Sequence, residues 1–372
     1  MIRGRASVLR TAILAAAGVL GGLAAIEAGG RVFPAVMPEQ WQIEDLAIHY
    51  PFTVVPDADL GFSMPPRQRQ IIRTRDYAFL EETDSQGFPN REPWPSDPTL
   101  MLLGDSLLLG IGVGFDESVA GRLARKRPDD RVLNLALAGA GPERQARVYH
   151  RYSRARRPSL VISTVFLASD VENDQHFLAW QQSGRQMPYN EFRLRLAGAA
   201  RDRGLAQRVF DHSWLLTAGA RLLRLSGAGG APSARFRFDD GVEVLFERHA
   251  LEFARRDVST DDPRIAIFLA SVERLRESVE RTGARFLVML VPSKEELYAD
   301  RGAAVDRSLA DRIAARLVSQ GMPLLDLYPV FRELGAARAT FFERDMHLTA
   351  HGNRVVAEAL AARMAIDGGI GQ

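Results

Sequence analysis

The sequence predicts an α/β domain built on a doubly wound, five-stranded parallel sheet, and three observations carry that reading. Five short segments are apolar without alternation, as strands covered on both faces are. Helical segments separate them, which is the spacing that parallel crossovers need. The residues capable of chemistry fall at the C-terminal ends of those strands, where open α/β sheets bind ligands.

The first strand is expected from Thr99 to Gly104, followed by a helix over Glu117 to Lys126 and a strand over Arg131 to Leu137. A helix over Glu143 to Arg156 and a strand over Ser159 to Ala168 come next. The pattern resumes with a helix from Asp262 to Thr282 and a strand from Arg285 to Val291. It closes with a helix over Ala304 to Ser319, a strand over Pro323 to Leu327 and a last helix from Ala350 to Met364. Between the halves, from about Asn173 to Asp261, lies a helical insertion containing Trp180, Phe192, Trp214 and Phe246. It leaves the third strand at its C-terminal end and is expected to wall the ligand site, with Trp180 and Trp214 filling a small core of its own.

Ahead of the domain, residues 31–98 are rich in proline and turn residues and read as a juxtamembrane stalk and lead-in. Residues 1–30 read as a signal anchor. Arg3, Arg5 and Arg10 precede an uncharged stretch from Thr11 to Ile26, a pattern that directs export with the N-terminus inside. Because a span usually needs about 20 residues, cleavage as a signal peptide is the alternative. Leu23-Ala24-Ala25-Ile26-Glu27-Ala28 offers no Ala-x-Ala site, which favours an uncleaved anchor in a bacterial inner membrane with residues 99–372 in the periplasm.

With 372 residues, 46% hydrophobic and 25% charged, the chain can bury an ordinary globular core. Net charge is +2, and arginines and acids are interspersed without a basic stripe, so nucleic acid is not an expected partner. The absence of cysteine excludes disulfides, thiolate catalysis and cysteine zinc sites.

Gly104-Asp105-Ser106 ends the first strand, and Asp345-Met346-His347 precedes the last helix. A serine hydroxyl needs a base to take its proton, and the base needs a carboxylate to hold its tautomer. Asp345 and His347 are two apart, so they face the same way in extended chain and not on a helix. They are therefore expected on a loop. Asp105 and Ser106 also suit a helix N-terminus, as does Thr349 for the last helix. His351 lies four residues after His347, but no glutamate completes a zinc motif, so no metal is expected. Gly110-Ile111-Gly112-Val113-Gly114 lacks the spacing of a nucleotide loop and reads as a turn. Lys294 is expected to pair with a nearby acid.

These blocks, with Asn134-Leu135-Ala136-Leu137-Ala138-Gly139 and Ala168-Ser169-Asp170 between them, resemble the SGNH/GDSL hydrolase superfamily from about Asp57 to Met364. The resemblance implies a flavodoxin-like SGNH fold, with Ser106 as nucleophile, His347 as general base and Asp345 as its orienting partner. It also implies an oxyanion hole from the backbone N–H groups of Ser106 and Gly139. The family's third donor is an asparagine amide, and here Ser169 stands at that position, with Asn173 as the alternative. Pro292-Ser293-Lys294-Glu295 with Tyr298 resembles a segment of bacterial exopolysaccharide acetylation proteins such as those of alginate.

The implied activity is hydrolysis of an exported acyl or acetyl ester through an acyl-serine, on a small molecule or a cell-envelope carbohydrate. The alternatives are a polysaccharide O-acetyltransferase with the same residues and a catalytically silent glycan-binding or assembly protein. No cofactor is implied.

Overall fold

The computed structural model describes residues 2–32, 54–74, 76–154, 156–196, 213–216, 219, 235–237, 243–246, 262–297, 307–333 and 340–369. The chain divides into two compact units, Met1–Glu44 with Ala200–Ala231, and Asp45–Ala199 with Pro232–Gln372.

In the first unit, helix α1 (Ile2–Val32) carries Glu27, whose carboxylate accepts bonds of 2.9 Å from Ser213 Oγ and from the backbone N–H groups of Trp214 and Leu215. The Trp214 ring lies so close to Gly30 that a Cβ there would come within 2.1 Å of it. Trp214 thus packs on α1 and not in a core private to the insertion, which corrects the expectation. Among the described residues no helix is long and apolar enough to cross a membrane, so the expected N-terminal anchor is not supported. The stretch after Arg10 is diluted by alanine and glycine and closed by Glu27 and Arg31.

The second unit contains strands β1 (Val55–Asp57), β2 (Gly61–Ser63), β3 (Arg69–Arg73), β4 (Ala78–Glu82) and β5 (Leu100–Leu103). They are followed by α2 (Ser106–Leu109), α3 (Val119–Lys126), β6 (Val132–Asn134), α4 (Pro142–Ser153), β7 (Leu160–Val165), α5 (Leu167–Gln182) and α6 (Tyr189–Leu196). A hairpin of β8 (Arg235–Arg237) and β9 (Glu243–Leu245) precedes α7 (Pro263–Glu280), β10 (Arg285–Leu290), α8 (Lys294–Leu297) and α9 (Ser308–Ser319). β11 (Leu324–Asp326), α10 (Tyr328–Glu333) and α11 (Ala350–Gly369) complete it.

Five strands form one parallel sheet in the order β11-β10-β7-β5-β6, with β10 and β7 paired from Arg285↔Leu160 to Leu290↔Val165. The predicted doubly wound α/β sheet is present. Chain order reverses at the centre, between β5 and β7, and this is the switch point where such sheets open a crevice. The apolar strands bury both faces because successive side chains alternate. Leu100, Leu102, Ile162, Leu287 and Met289 share one core with Val119 and Leu123 of α3 and Val355 and Leu360 of α11. Met101, Leu103, Val161, Val288 and Leu290 share the other with α4, α7 and α9 through Val148, Phe268 and Ile313.

Residues 54–98 pack on this body as well. Leu60 and Phe88 join the second core, and Met64, Ile72, Tyr77 and Phe79 join the first. Phe62 stacks near Tyr189 and lies in a third cluster with Ala138, Phe177 and Trp180. Trp180 is therefore buried against the lead-in and α6, again not in a core of the insertion alone.

Candidate active site

Each candidate side chain is placed by the end of a regular element. β5 ends at Leu103, and Gly104 follows where a Cβ would lie 2.9 Å from the Thr164 side chain on the neighbouring strand. Asp105 then caps α2, its Oδ1 accepting from Leu107 N at 3.0 Å. Ser106 is the first residue of α2 and half-buried. Asp105 is thus a cap, as a short polar side chain at a helix start often is. Burial raises its carboxyl to about 6, against the Leu107 bond and the nearby charge of His347. That charge is felt because the imidazole lies near the turn that carries Ser106.

Asp345 and His347 sit on the loop before α11, as expected. Asp345 Oδ1 accepts from His347 N at 2.9 Å and lies 2.5 Å from His347 Nδ1, so one carboxylate oxygen holds both the backbone and the ring of the residue two ahead. Tyr77 donates its hydroxyl to Asp345 Oδ2 at 2.6 Å. Burial pushes the Asp345 carboxyl up, but the His347 charge and the bonds from His347 and Tyr77 outweigh it and hold the group at about 2. A buried carboxylate that stays ionised beside an imidazole fixes its tautomer and steadies a positive charge on it.

The loop is fastened from several sides. Asp76 Oδ2 accepts from Arg344 N at 2.7 Å and Asp345 N at 2.8 Å. Lys294, 1% exposed, donates from Nζ to the carbonyls of Phe342, Glu343 and Asp345 at 3.3, 3.3 and 2.9 Å. Ser293 and Glu296 exchange a capping-box pair that starts α8 and aims the lysine: Ser293 N donates to Glu296 Oε2, and Glu296 N donates to Ser293 Oγ. Leu245 N of β9 donates to Glu343 O at 2.9 Å, so the hairpin of the insertion ends on the same loop. Thr349 Oγ accepts from Gly352 N at 3.1 Å and caps α11, as its position predicted.

Gly139 lies in the turn between β6 and α4 with φ +61°, a conformation that favours glycine. Arg144 of α4, 0% exposed, holds this turn from below. Its guanidinium donates to the carbonyls of Leu60, Ala138, Gly139 and Phe62 at 2.9 to 3.1 Å and lies over the Phe62 ring at 4.3 Å. Burial draws Arg144 down only to about 10, so it remains charged at neutral pH. Its bonds fix the direction of the Gly139 peptide.

Ser169 and Asn173 do not sit at a free strand end. Both lie within α5, one turn apart, because the helix begins directly after β7. Ser169 is half-buried. Asn173 is buried, and its Oδ1 accepts from Arg193 Nη2 at 3.3 Å. Arg193 of α6 also stands against Gly139, with Nη1 3.0 Å from where a Cβ would be. Sequence patterns single out neither Arg193 nor Tyr77, Asp76 and Arg144. Arg144 is buried with Gln145, Ala146 and Val148 of α4, a place its charge does not announce in the sequence.

Asp174, also on α5 and 0% exposed, accepts from Glu143 N at 3.0 Å, and burial raises its carboxyl to about 8. The folded state thus holds a proton that the unfolded chain releases near its ordinary value, so stability is full below that value and declines as pH rises through about 8. Asp174→Asn keeps the acceptor and has no proton to lose. It is expected to flatten the decline between pH 5 and pH 9 by on the order of 4 kcal/mol, read by urea denaturation at both pH values. An unchanged slope would place the titration elsewhere.

Comparison with known proteins bears on these residues. Residues 245–371 match the family model described as SGNH hydrolase-like domain, acetyltransferase AlgX, a stretch that contains Lys294, Asp345 and His347 but not Ser106. No curated protein matches. Among solved structures, a lipolytic protein of the G-D-S-L family from Veillonella parvula is 9% identical, with 71% of this chain and 96% of that chain covered and a TM-score of 0.37. An acetyl xylan esterase, AlAXEase, is 10% identical over 71% and 98% at a TM-score of 0.35. A G-D-S-L family protein from Desulfitobacterium hafniense is 11% identical over 71% and 98% at 0.37. Likenesses this distant carry no weight for function. The C-terminal third of the chain is nonetheless similar to the SGNH hydrolase-like domain of an acetyltransferase, in agreement with the motifs read from the sequence.

Proposed function

We propose that this chain is a serine acyl-ester enzyme of SGNH type, with Ser106 as nucleophile, His347 as general base and Asp345 as its orienting partner. The observation that carries it is the buried Asp345–His347 pair, bonded at 2.5 Å on a loop whose imidazole charge reaches Asp105, next to Ser106. In this reading His347 Nε2 takes the Ser106 proton as Oγ attacks the ester carbonyl, and the backbone N–H groups of Ser106 and Gly139 meet the oxyanion. Collapse of the tetrahedral species expels the alcohol, which takes the proton back from His347, and leaves an acyl-serine. Water then releases the acid. The substrate is an acyl or acetyl ester, with cell-envelope carbohydrate as the favoured class.

The match of residues 245–371 to an acetyltransferase domain favours a second reading, in which a sugar hydroxyl replaces water at the last step. The same residues serve both. Rapid quenching with an activated acetyl ester should show acetyl on Ser106 by peptide mass spectrometry, and none in Ser106→Ala. Faster decay of that adduct with an oligosaccharide, and acetyl recovered on the sugar, selects the transferase. Wild-type turnover in a folded Ser106→Ala protein would eliminate both readings.

A further inference from the structure

The third oxyanion donor is the part of this site that the resemblance does not supply. It puts Ser169 there, a short neutral hydroxyl on α5. Asn173, the alternative, has its side-chain oxygen committed to Arg193. Beside Asn173 stands a cation with the reach these side chains lack. Arg193 is anchored by Nη2 on Asn173 Oδ1 at 3.3 Å, and its Cζ lies 5.8 Å from the Tyr189 ring centre. Tyr189 itself donates to the Asn173 carbonyl at 3.4 Å, so ring, amide and guanidinium are braced together. With Nη2 held, Nη1 lies against the open side of Gly139, 3.0 Å from an ideal Cβ position. A side chain at 139 would displace it. The glycine therefore serves two ends, a positive φ and the close approach of a charge.

We propose that Arg193 Nη1 completes the oxyanion hole, in place of the asparagine amide that the family implies, with Asn173 as its positioning residue. The inference rests on Ser106 being the nucleophile. Chemically it fits the charge that develops: an alkoxide forms as Ser106 Oγ bonds to the carbonyl carbon and the C=O π pair moves to oxygen. A fixed guanidinium stabilises that anion more than a hydroxyl does, because it carries full positive charge and needs no reorientation. Arg193 is half-exposed in the free protein, so substitution leaves no buried group unpaired by its own loss except the Asn173 side-chain carbonyl.

The test uses the full chain and a small neutral acetyl ester, which removes any role for a charged substrate group. Arg193→Gln should lower kcat by about 10²–10³-fold with KM within about twofold, since the lost bond forms mainly in the transition state. Arg193→Ala should lose as much and regain part of it when guanidinium chloride is added at millimolar concentrations. Asn173→Ala should produce a smaller fall in kcat that Arg193→Gln renders silent when the two are combined. Unfolding midpoints within a few degrees of wild type show that folding is not the cause. Unchanged kcat in Arg193→Gln, or the same loss appearing in Ser169→Ala instead, overturns the inference while Ser106-dependent turnover keeps the enzyme reading. An effect confined to KM for acidic esters overturns it too, because the guanidinium would then be reading a substrate carboxylate. Turnover that does not depend on Ser106 defeats the underlying reading, and this inference with it.

Discussion

His347→Ala is expected to lower kcat for acyl-ester turnover by about 10⁴–10⁶-fold, the range seen when one member of a serine triad is removed. Asp345 Oδ1 holds both the ring and the backbone N–H of this histidine, and the loop that carries it is tied down by Asp76 and Lys294. Asp345→Asn is the graded form of the same experiment. An amide can keep its oxygen toward the two His347 donors and turn its NH₂ to the Tyr77 oxygen, so orientation survives and negative charge does not. A fall of about 10²–10⁴-fold is therefore expected, smaller than that of His347→Ala. Combining Ser106→Ala with His347→Ala should cost no more than either alone, because the groups act as a unit. Additive losses in steady-state kinetics would show that they do not.

The second large effect is on stability. Lys294→Met removes an ammonium that three loop carbonyls share, and leaves those carbonyls in a setting where the side chain is 1% exposed. Each buried acceptor without a donor costs about 1–3 kcal/mol, so a total loss of about 3–5 kcal/mol is expected in urea denaturation. Because the carbonyls belong to Phe342, Glu343 and Asp345, turnover should fall as well, even at temperatures where the variant is fully folded. Three backbone carbonyls accept from its ammonium, partners that no residue pattern marks in the sequence. A variant as stable as wild type would mean that water fills the place of the ammonium.

Much of the fold could be read from residues alone because its cause is local. Leu100 to Leu103 and Phe286 to Leu290 are apolar on both sides, and a strand sandwiched between helices uses such a run. The same holds for the ends of elements, since Asp105 and Thr349 cap helices within a few residues of themselves. What could not be read depends on distance along the chain. Tyr77 meets Asp345 across 268 positions, and its segment has the prolines and turns of a linker, which hides that it is bound into the body. Arg193 and Arg144 bond mainly to an amide oxygen and to carbonyls, and every residue supplies a carbonyl, so no pattern marks the place. Ser169 and Asn173 were displaced from a strand end to a helix interior because α5 starts at Leu167, with Phe166 as its only interval from β7.

Arg144 also bears on how the molecule comes together. Its four carbonyl partners come from two places, Leu60 and Phe62 ahead of the sheet and Ala138 and Gly139 in the turn after β6. A guanidinium stripped of water with only half of them present would carry a penalty of several kcal/mol. Partial docking is therefore disfavoured from either side, and the leading hairpin and the glycine turn are completed in a single cooperative event. The charge thus couples the two segments: the Gly139 turn is fully bonded to Arg144 only where Leu60 and Phe62 also reach it.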